Sequence, residues 1–508
     1  MAAIPISRAL RILAERAPNE PIVIDGDRVV TRVEFDRITN RLTRAMTALG
    51  IERGDFVSIL LPNSIQFLAS IAAAWKAGAI PQPLSAKMAT AEREEILKLV
   101  KPRLIIGGEK PPDPTCAWFP TGFEPDPAIS DDPVPETISP SFKAMASGGS
   151  TGRPKIIVAG NPGTIDLEAP FPTVKPNERM LVTGPLYHNA PFLAATTCML
   201  SGGSAVLMAK FDAEESLRLI ERHRVNFITL VPTMMQRIWR LSDATRSKYD
   251  LSSIRVMIHS AAPCPVWLKE HWIEWLGADR VVEAYGSTEA PGYTVIGGRD
   301  WLTKKGSVGK PDPSVCEAAI FREDGAFASV GEIGEVCMRP AIQPGAEYGH
   351  IYAQRYRYIG AEPRRIHGSW DSMSDLGYLD DDGYLFLVDR RTDVILRGGA
   401  KIYPAEVEAA IDAHPSVRSS VVIGIPDEDL GERVHALVDT LNPVSHDEIK
   451  MHLVDRLSAH KIPSDFEFVT SPLRDDAGKV RRSELKRRRI VALNPATARM
   501  VMPPLSLP

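Results

Sequence analysis

Read from its amino end, the chain alternates short apolar runs with longer stretches in which apolar residues recur every three to four positions. Ile22-Val23-Ile24 ends at the turn pair Asp25-Gly26 and reads as a strand; the amphipathic stretch from Arg32 to Leu49 then predicts a helix stopped by Gly50. The pattern repeats at once. Phe56-Val57-Ser58-Ile59-Leu60-Leu61 reads as a strand closed by Pro62, and Ser64 to Ala77 as a helix that stops at Gly78. Such alternation predicts layered α/β structure with a largely parallel sheet. Residues 108 to 140, rich in Pro and Asp, predict a surface connection rather than core. Alternation then resumes to about residue 320, with buried strands at Phe227-Ile228-Thr229-Leu230-Val231 and Val256-Met257-Ile258. From Gly331 to Asp389 turn signals crowd together, among them Asp381-Asp382-Gly383, and predict antiparallel β structure. A last α+β unit runs from Arg390 to about Leu493, and Pro495 to Pro508 reads as a loose tail. The expected fold class is therefore α/β. It comprises a large N-terminal domain (1–390) of layered α/β subdomains with an additional β-rich subdomain, and a small α+β C-terminal domain (391–508).

Composition narrows the function. At 508 residues the chain exceeds what one hydrophobic core usually supports, in keeping with more than one domain. A formal net charge of -4 gives no electrostatic reason to expect a nucleic-acid partner, since phosphate binding over a wide footprint needs an excess of Lys and Arg. Cys116, Cys198, Cys264, Cys316 and Cys337 form no C-x-x-C pair and read as small buried residues in a reducing compartment rather than as disulfides or zinc ligands. No apolar run approaches the roughly 20 residues that span a bilayer, and the start lacks a signal-peptide pattern, so a cytoplasmic protein without a membrane span is expected.

The most informative stretch is Ser147-Gly148-Gly149-Ser150-Thr151-Gly152-Arg153-Pro154-Lys155. Glycines let backbone approach an anion closely, the amides and hydroxyls offer donors, and Lys155 adds charge, which together suit a triphosphate. It is not a Walker A loop, because Arg153-Pro154 precede the lysine and Ile156 follows it. Read by composition alone, the same string could be a Gly/Ser surface turn.

The order of its residues resembles the signature loop of the acyl-adenylate-forming superfamily, which includes acyl-CoA synthetases, luciferases and the adenylation domains of peptide synthetases. Later stretches resemble that family's other motifs in the same order. Ala284-Tyr285-Gly286-Ser287-Thr288-Glu289 resembles the motif whose tyrosine stacks on adenine, whose threonine bonds the α-phosphate and whose glutamate holds Mg²⁺; by itself it could be a strand end and helix cap. Asp375, in Ser374-Asp375-Leu376-Gly377-Tyr378, and Arg390 resemble the two ribose contacts, and the Asp-Gly turn beside them also predicts a hairpin. Lys479, in Asp476-Ala477-Gly478-Lys479, resembles the adenylation lysine, while Arg487, Arg488 and Arg489 read as a solvated basic helix face.

The resemblance implies an ATP-dependent acid–CoA ligase. The acid is first joined to AMP, and the acyl group then passes to the thiol of coenzyme A. Expected catalytic residues are Lys479, His188, Thr151 and Glu289, with Glu289 and Thr151 as magnesium ligands. Nucleotide is expected on Ser147, Gly148, Gly149, Ser150, Thr151, Gly152, Lys155, Ala284, Tyr285, Gly286, Thr288, Asp375 and Arg390. The turn at Gly398-Gly399 resembles the loop lining the pantetheine tunnel, though it also reads as an ordinary tight turn before a helix at Pro404. In the family the small domain is mobile and rotates between the two steps about a hinge that usually carries Asp or Lys; here the position is Thr392, a departure from that pattern.

The acyl pocket is expected at His188, Asn189, Ala190, Thr233, Ser260, Ala261, Ala262, Gly286 and Gly292, with His188 as a gate against water. Small residues there imply room for a bulky acid. Further stretches, including Gly184-Pro185-Leu186-Tyr187-His188 and Ile425-Pro426-Asp427-Glu428-Asp429-Leu430-Gly431, resemble bile acid–CoA ligases and related bacterial synthetases, which implies a polycyclic, steroid- or terpenoid-like acid. A fatty or aryl acid is the alternative substrate. Loading of a carrier protein and a single half-reaction are the alternative activities, and a homodimer is left open.

Overall fold

The computed structural model describes residues 3–148, 154–168, 174–341, 355–427, 429–475 and 478–493. Helices form where a cap and an apolar face coincide. Thr31 accepts from the amide of Glu34 to start Arg32–Ala48, and Ser64 accepts from the amide of Phe67 to start Ile65–Lys76. Gly50 and Gly78, both at φ 77°, let the chain turn away afterwards. Trp75, Phe142 and Phe192 meet in the core beside these helices, with ring centroids 4.7 to 6.3 Å apart.

Among the described residues the principal sheet has nine strands. Six of them, in the order Val281–Gly286, Val256–His259, Phe227–Leu230, Arg179–Val182, Ser204–Leu207 and Pro21–Asp25, are parallel. Antiparallel strands close both edges. A second, four-stranded sheet built on Phe56–Leu60 is parallel throughout. A three-stranded antiparallel sheet, Tyr356–Ile359 with Pro154–Ala159 and Ala144–Gly148, lies at the phosphate-loop motif. The molecule is thus mixed α/β with a large N-terminal and a small C-terminal domain. The small domain carries its own apolar core, from Ile395 and Val407 to Leu453 and Phe466.

Three expectations need correction. The Pro/Asp-rich stretch from 108 to 140 contains a strand, Ala117–Phe119, that extends the four-stranded sheet, and it buries Phe119 and Val134. Carbonyls that so Pro-rich a chain cannot pair with itself accept instead from Arg41 and Arg44. The β-rich layer begins at Cys316, not Gly331, because Cys316–Phe321 pairs antiparallel with Gly334–Pro340. Arg489 is not a solvated face residue: its guanidinium grips Glu467 at 2.6 and 2.9 Å, whereas Arg487 and Arg488 pair with Glu484 on their own helix. Of the cysteines, Cys198, Cys316 and Cys337 are buried, Cys116 and Cys264 only partly. Among the described residues no helix is long and apolar enough to cross a membrane.

Candidate active site

The parallel strands of the large sheet set up the site, because the segments singled out in the sequence follow their carboxyl ends. Val182 leads to Gly184–Asn189, Leu230 to Val231–Thr233, His259 to Ser260–Ala262, and Gly286 to Ser287-Thr288-Glu289. Asn63 fixes the first of these loops by donating to the carbonyls of Gly184 and Met208 and accepting from the amide of Leu186. His188 caps the helix Asn189–Leu200 with its backbone, and its ring lies against Tyr187 at 4.4 Å. Asn189 is half-buried and Ala190 exposed. Ala261 holds φ 74°, a conformation that disfavours a side chain, at the turn leaving its strand.

Three groups converge beyond the strand Val281–Gly286. Lys155 Nζ donates to Glu289 Oε1 at 2.9 Å and to the Tyr358 hydroxyl at 2.9 Å, and that hydroxyl donates to the same Oε1 at 2.6 Å. Burial pushes the Glu289 carboxyl up, but the charge of Lys155 and the two hydrogen bonds outweigh it and hold the group below the ordinary glutamate value. Glu289 is therefore a carboxylate. Both side-chain bonds fall on Oε1 rather than Oε2.

Asp375 and Arg390 are cross-strand neighbours in the pairing of Trp370–Leu379 with Leu385–Arg390, 3.9 Å apart at their charged ends. The Tyr285 hydroxyl donates to Asp375 Oδ2 at 2.7 Å. Burial raises the pKa of Asp375 despite that bond and the nearby Arg390. Lys479 comes from the small domain. Gly478, at φ 73°, brings it in so closely that a β-carbon there would stand 3.1 Å from Thr233 Oγ1. Solvent still reaches the Lys479 side chain, yet it stands in a crowded cleft. Loss of hydration and then the charge of Arg390 lower its pKa, while Asp475 and Glu289 pull the other way. Large-domain and small-domain contacts elsewhere, Arg240 to the Val417 carbonyl and Glu92 to Arg481, hold this arrangement.

The structure thus brings Lys155, Glu289, Tyr285, Asp375, Arg390 and Lys479 to one cleft. Gly149, Ser150, Thr151 and Gly152 lie outside the described residues. Gly398 and Gly399, at φ 55° and 82°, form a two-residue hairpin turn that is exposed and bonds within the small domain, the Gly398 amide donating to the Leu430 carbonyl at 2.7 Å. Gly292 leaves no room of its own: a β-carbon there would lie 2.9 to 3.1 Å from Cys316 and Met338, so its smallness serves close chain approach. Tyr358 was missed by sequence reasoning because it lies in no motif. Lys143 was missed too, although a lysine within the otherwise apolar run Phe142–Ala146 is a signal.

The model of the AMP-binding enzyme family matches residues 10–343, and that of the AMP-binding enzyme C-terminal domain matches 406–479. The chain belongs to the AMP-binding enzyme family. This AMP-binding enzyme is 30% identical over 499 residues to a feruloyl-CoA synthase of an Amycolatopsis species, covering 94% of this chain and 97% of that one. It is 27% identical to the 3-[(3aS,4S,7aS)-7a-methyl-1,5-dioxo-octahydro-1H-inden-4-yl]propanoyl:CoA ligase of Rhodococcus jostii, with 94% and 97% covered. The o-succinylbenzoate CoA synthetase of Bacillus subtilis, solved with its acyl-adenylate intermediate, matches at a TM-score of 0.80 and 26% identity over 96% of this chain and 99% of that one. The same synthetase with ATP and magnesium ion gives 0.79, at 26% identity over 94% and 99% of the two chains. As an AMP-binding enzyme of this group, the protein is an AMP-forming acid–thiol ligase that draws on ATP, magnesium and coenzyme A.

The residues fit a magnesium–nucleotide complex. Among the described residues no cluster of three or more His, Cys, Asp or Glu could hold a metal unaided. Glu289 offers one ionised oxygen, which suits a hard cation that takes the rest of its shell from phosphates and water.

Proposed function

We propose that this ligase activates a bulky polycyclic acid, steroid- or terpenoid-like, and that the cleft at Glu289 carries the first step. The convergence of Lys155 and Tyr358 on Glu289 Oε1, with Lys479 near enough to feel that carboxylate, carries the reading. A carboxylate is a poor electrophile and needs a leaving group before a thiol can attack. In the proposed step one acid oxygen bonds to the α-phosphorus of ATP while the bond to pyrophosphate breaks. Lys155 moves its charge from Glu289 to the phosphates, Asp375 and Arg390 hold the ribose, and Lys479 offsets charge between acid and α-phosphate. Glu289, with Thr151 as the second expected protein ligand, would hold magnesium, which would supply further charge neutralisation for the phosphates. His188 and Tyr187 limit water at the mixed anhydride. The thiolate of coenzyme A then attacks the acyl carbon and AMP leaves, with the Gly398-Gly399 turn as the proposed wall of the pantetheine path.

Support for a polycyclic acid comes from the small side chains at Ala190, Ala261 and Ala262 and from the fused-ring acid in the name of the Rhodococcus relative. A second reading, an aryl acid, is favoured by the feruloyl and succinylbenzoate activities named for other relatives. Pyrophosphate release measured with cholate, a diterpenoid acid, ferulate, benzoate and palmitate separates them. The polycyclic acids should give the highest kcat/KM. A clear win for a flat aromatic or linear acid overturns the substrate class, and no release with any acid overturns the reading itself.

A further inference from the structure

Three lysines have buried side chains among the described residues, and two of them are paired with carboxylates. Lys76 meets Asp36 at 2.7 Å and Lys269 meets Glu283 at 2.5 Å, as expected for a charge taken out of water. Lys143 differs. It is 6% exposed, and its only hydrogen-bond partner among the described residues is a neutral amide oxygen, Asn189 Oδ1. Two of its three N–H donors are left over. The carboxylate whose field it feels is Glu289, with no ion pair between them. Burial pulls its pKa down to about 7, so the fold holds this ammonium at a cost that an anion would relieve.

The position of Lys143 says which anion. It directly precedes the strand Ala144–Gly148, whose far end opens the phosphate loop, and the Ala159 amide donates to its carbonyl at 2.9 Å. Its backbone is therefore held within the large domain. Its ammonium bonds Asn189, in the expected acyl pocket, and feels the charge of Glu289, in the expected metal and phosphate region. In a substrate joined end to end through that cleft, the group between acyl body and α-phosphate is the reacting carboxylate. Resting on the proposed adenylation at Glu289, we infer that Lys143, oriented by Asn189, binds the reacting carboxylate of the acid with its spare N–H donors. Lys479 approaches the same region from the small domain, whereas Lys143 stays with the large domain whatever the small one does. It would then also donate to the acyl carbonyl oxygen when the thiolate attacks.

The test compares Lys143→Met with the wild type, using the best acid of the panel above and its primary carboxamide as a competitive inhibitor. We expect the KM for the acid to rise at least tenfold with the KM for ATP unchanged. The wild type's preference for carboxylate over carboxamide should vanish in Lys143→Met. Asn189→Asp supplies a second variant that keeps the lysine but gives it an internal carboxylate, and it too should raise the acid KM and leave that for ATP alone. A merely structural lysine would instead lower the melting temperature and shift both KM values together, or neither. An unchanged acid KM and an unchanged carboxylate preference in an active Lys143→Met enzyme overturn the inference alone. A wild type that releases no pyrophosphate with any acid overturns the underlying adenylation reading, and this inference with it.

Discussion

Glu289 is caught between burial, which favours a neutral acid, and Lys155 with Tyr358, which favour the anion; the two partners prevail. Replacing it with Gln leaves Lys155 uncompensated and removes the anionic oxygen proposed for magnesium. Glu289→Gln should therefore raise the magnesium concentration that half-saturates pyrophosphate release and lower kcat by about 10²–10³-fold, as loss of a preorganised charge does. An unchanged magnesium titration would remove Glu289 from the metal site. As candidates, Glu289, Lys155, Asp375 and Arg390 could be picked from the sequence because each sits in a motif whose order is informative; their roles are proposals. Tyr358 and Lys143 could not, since their roles arise from pairing of Tyr356–Ile359 and of the strand after Lys143 with Pro154–Ala159, a contact between distant segments that periodicity does not reveal.

At the scale of elements, the hairpin that sets Asp375 beside Arg390 depends on Gly377. A β-carbon there would lie 2.4 Å from the Phe386 carbonyl oxygen and 3.0 Å from Val336. Gly377→Ala should cost about 1–3 kcal/mol in thermal unfolding and raise the KM for ATP, because the two strands must part; an unchanged KM would separate the hairpin from nucleotide binding. Asp412, at the end of the helix Pro404–Asp412, has an Oδ1 without a hydrogen-bond partner among the described residues, and burial pushes its carboxyl from 3.8 up to about 7. The folded state thus binds more protons than the unfolded chain between those values. Stability from this group is present at low pH and is lost as pH rises through about 7. Asp412→Asn, which imitates the protonated form, should raise the melting temperature more at pH 8 than at pH 5, because only part of the loss has occurred at pH 5; the opposite pH order would contradict the assignment. Helices such as Arg32–Ala48 and Ile65–Lys76 were readable because caps, period and stop signals agree. The strand Ala117–Phe119 was not, because three residues inside a Pro-rich stretch carry too little pattern to stand out from loop.

For the whole molecule, the large domain supplies Lys155, Glu289, Asp375 and Arg390, and the small domain, with a separate core, supplies Lys479. Division of the site between two bodies predicts division of the chemistry. Lys479→Ala should abolish pyrophosphate release from acid and ATP yet still transfer the acyl group from a preformed adenylate to coenzyme A; equal loss of both would mean that Lys479 serves the fold or both steps alike. The two-domain plan was legible from the change of pattern near Arg390. The arrangement of the domains was not, since it depends on contacts such as Gly478 with Thr233 that join residues far apart in the chain. The central claim, acid activation by adenylation, is tested most directly by product analysis of one reaction mixture holding enzyme, ATP, magnesium, coenzyme A and the preferred acid. AMP, pyrophosphate and acyl-CoA formed in equal amounts are the predicted result. ADP and inorganic phosphate as the nucleotide products, or thioester formed without AMP, would contradict it.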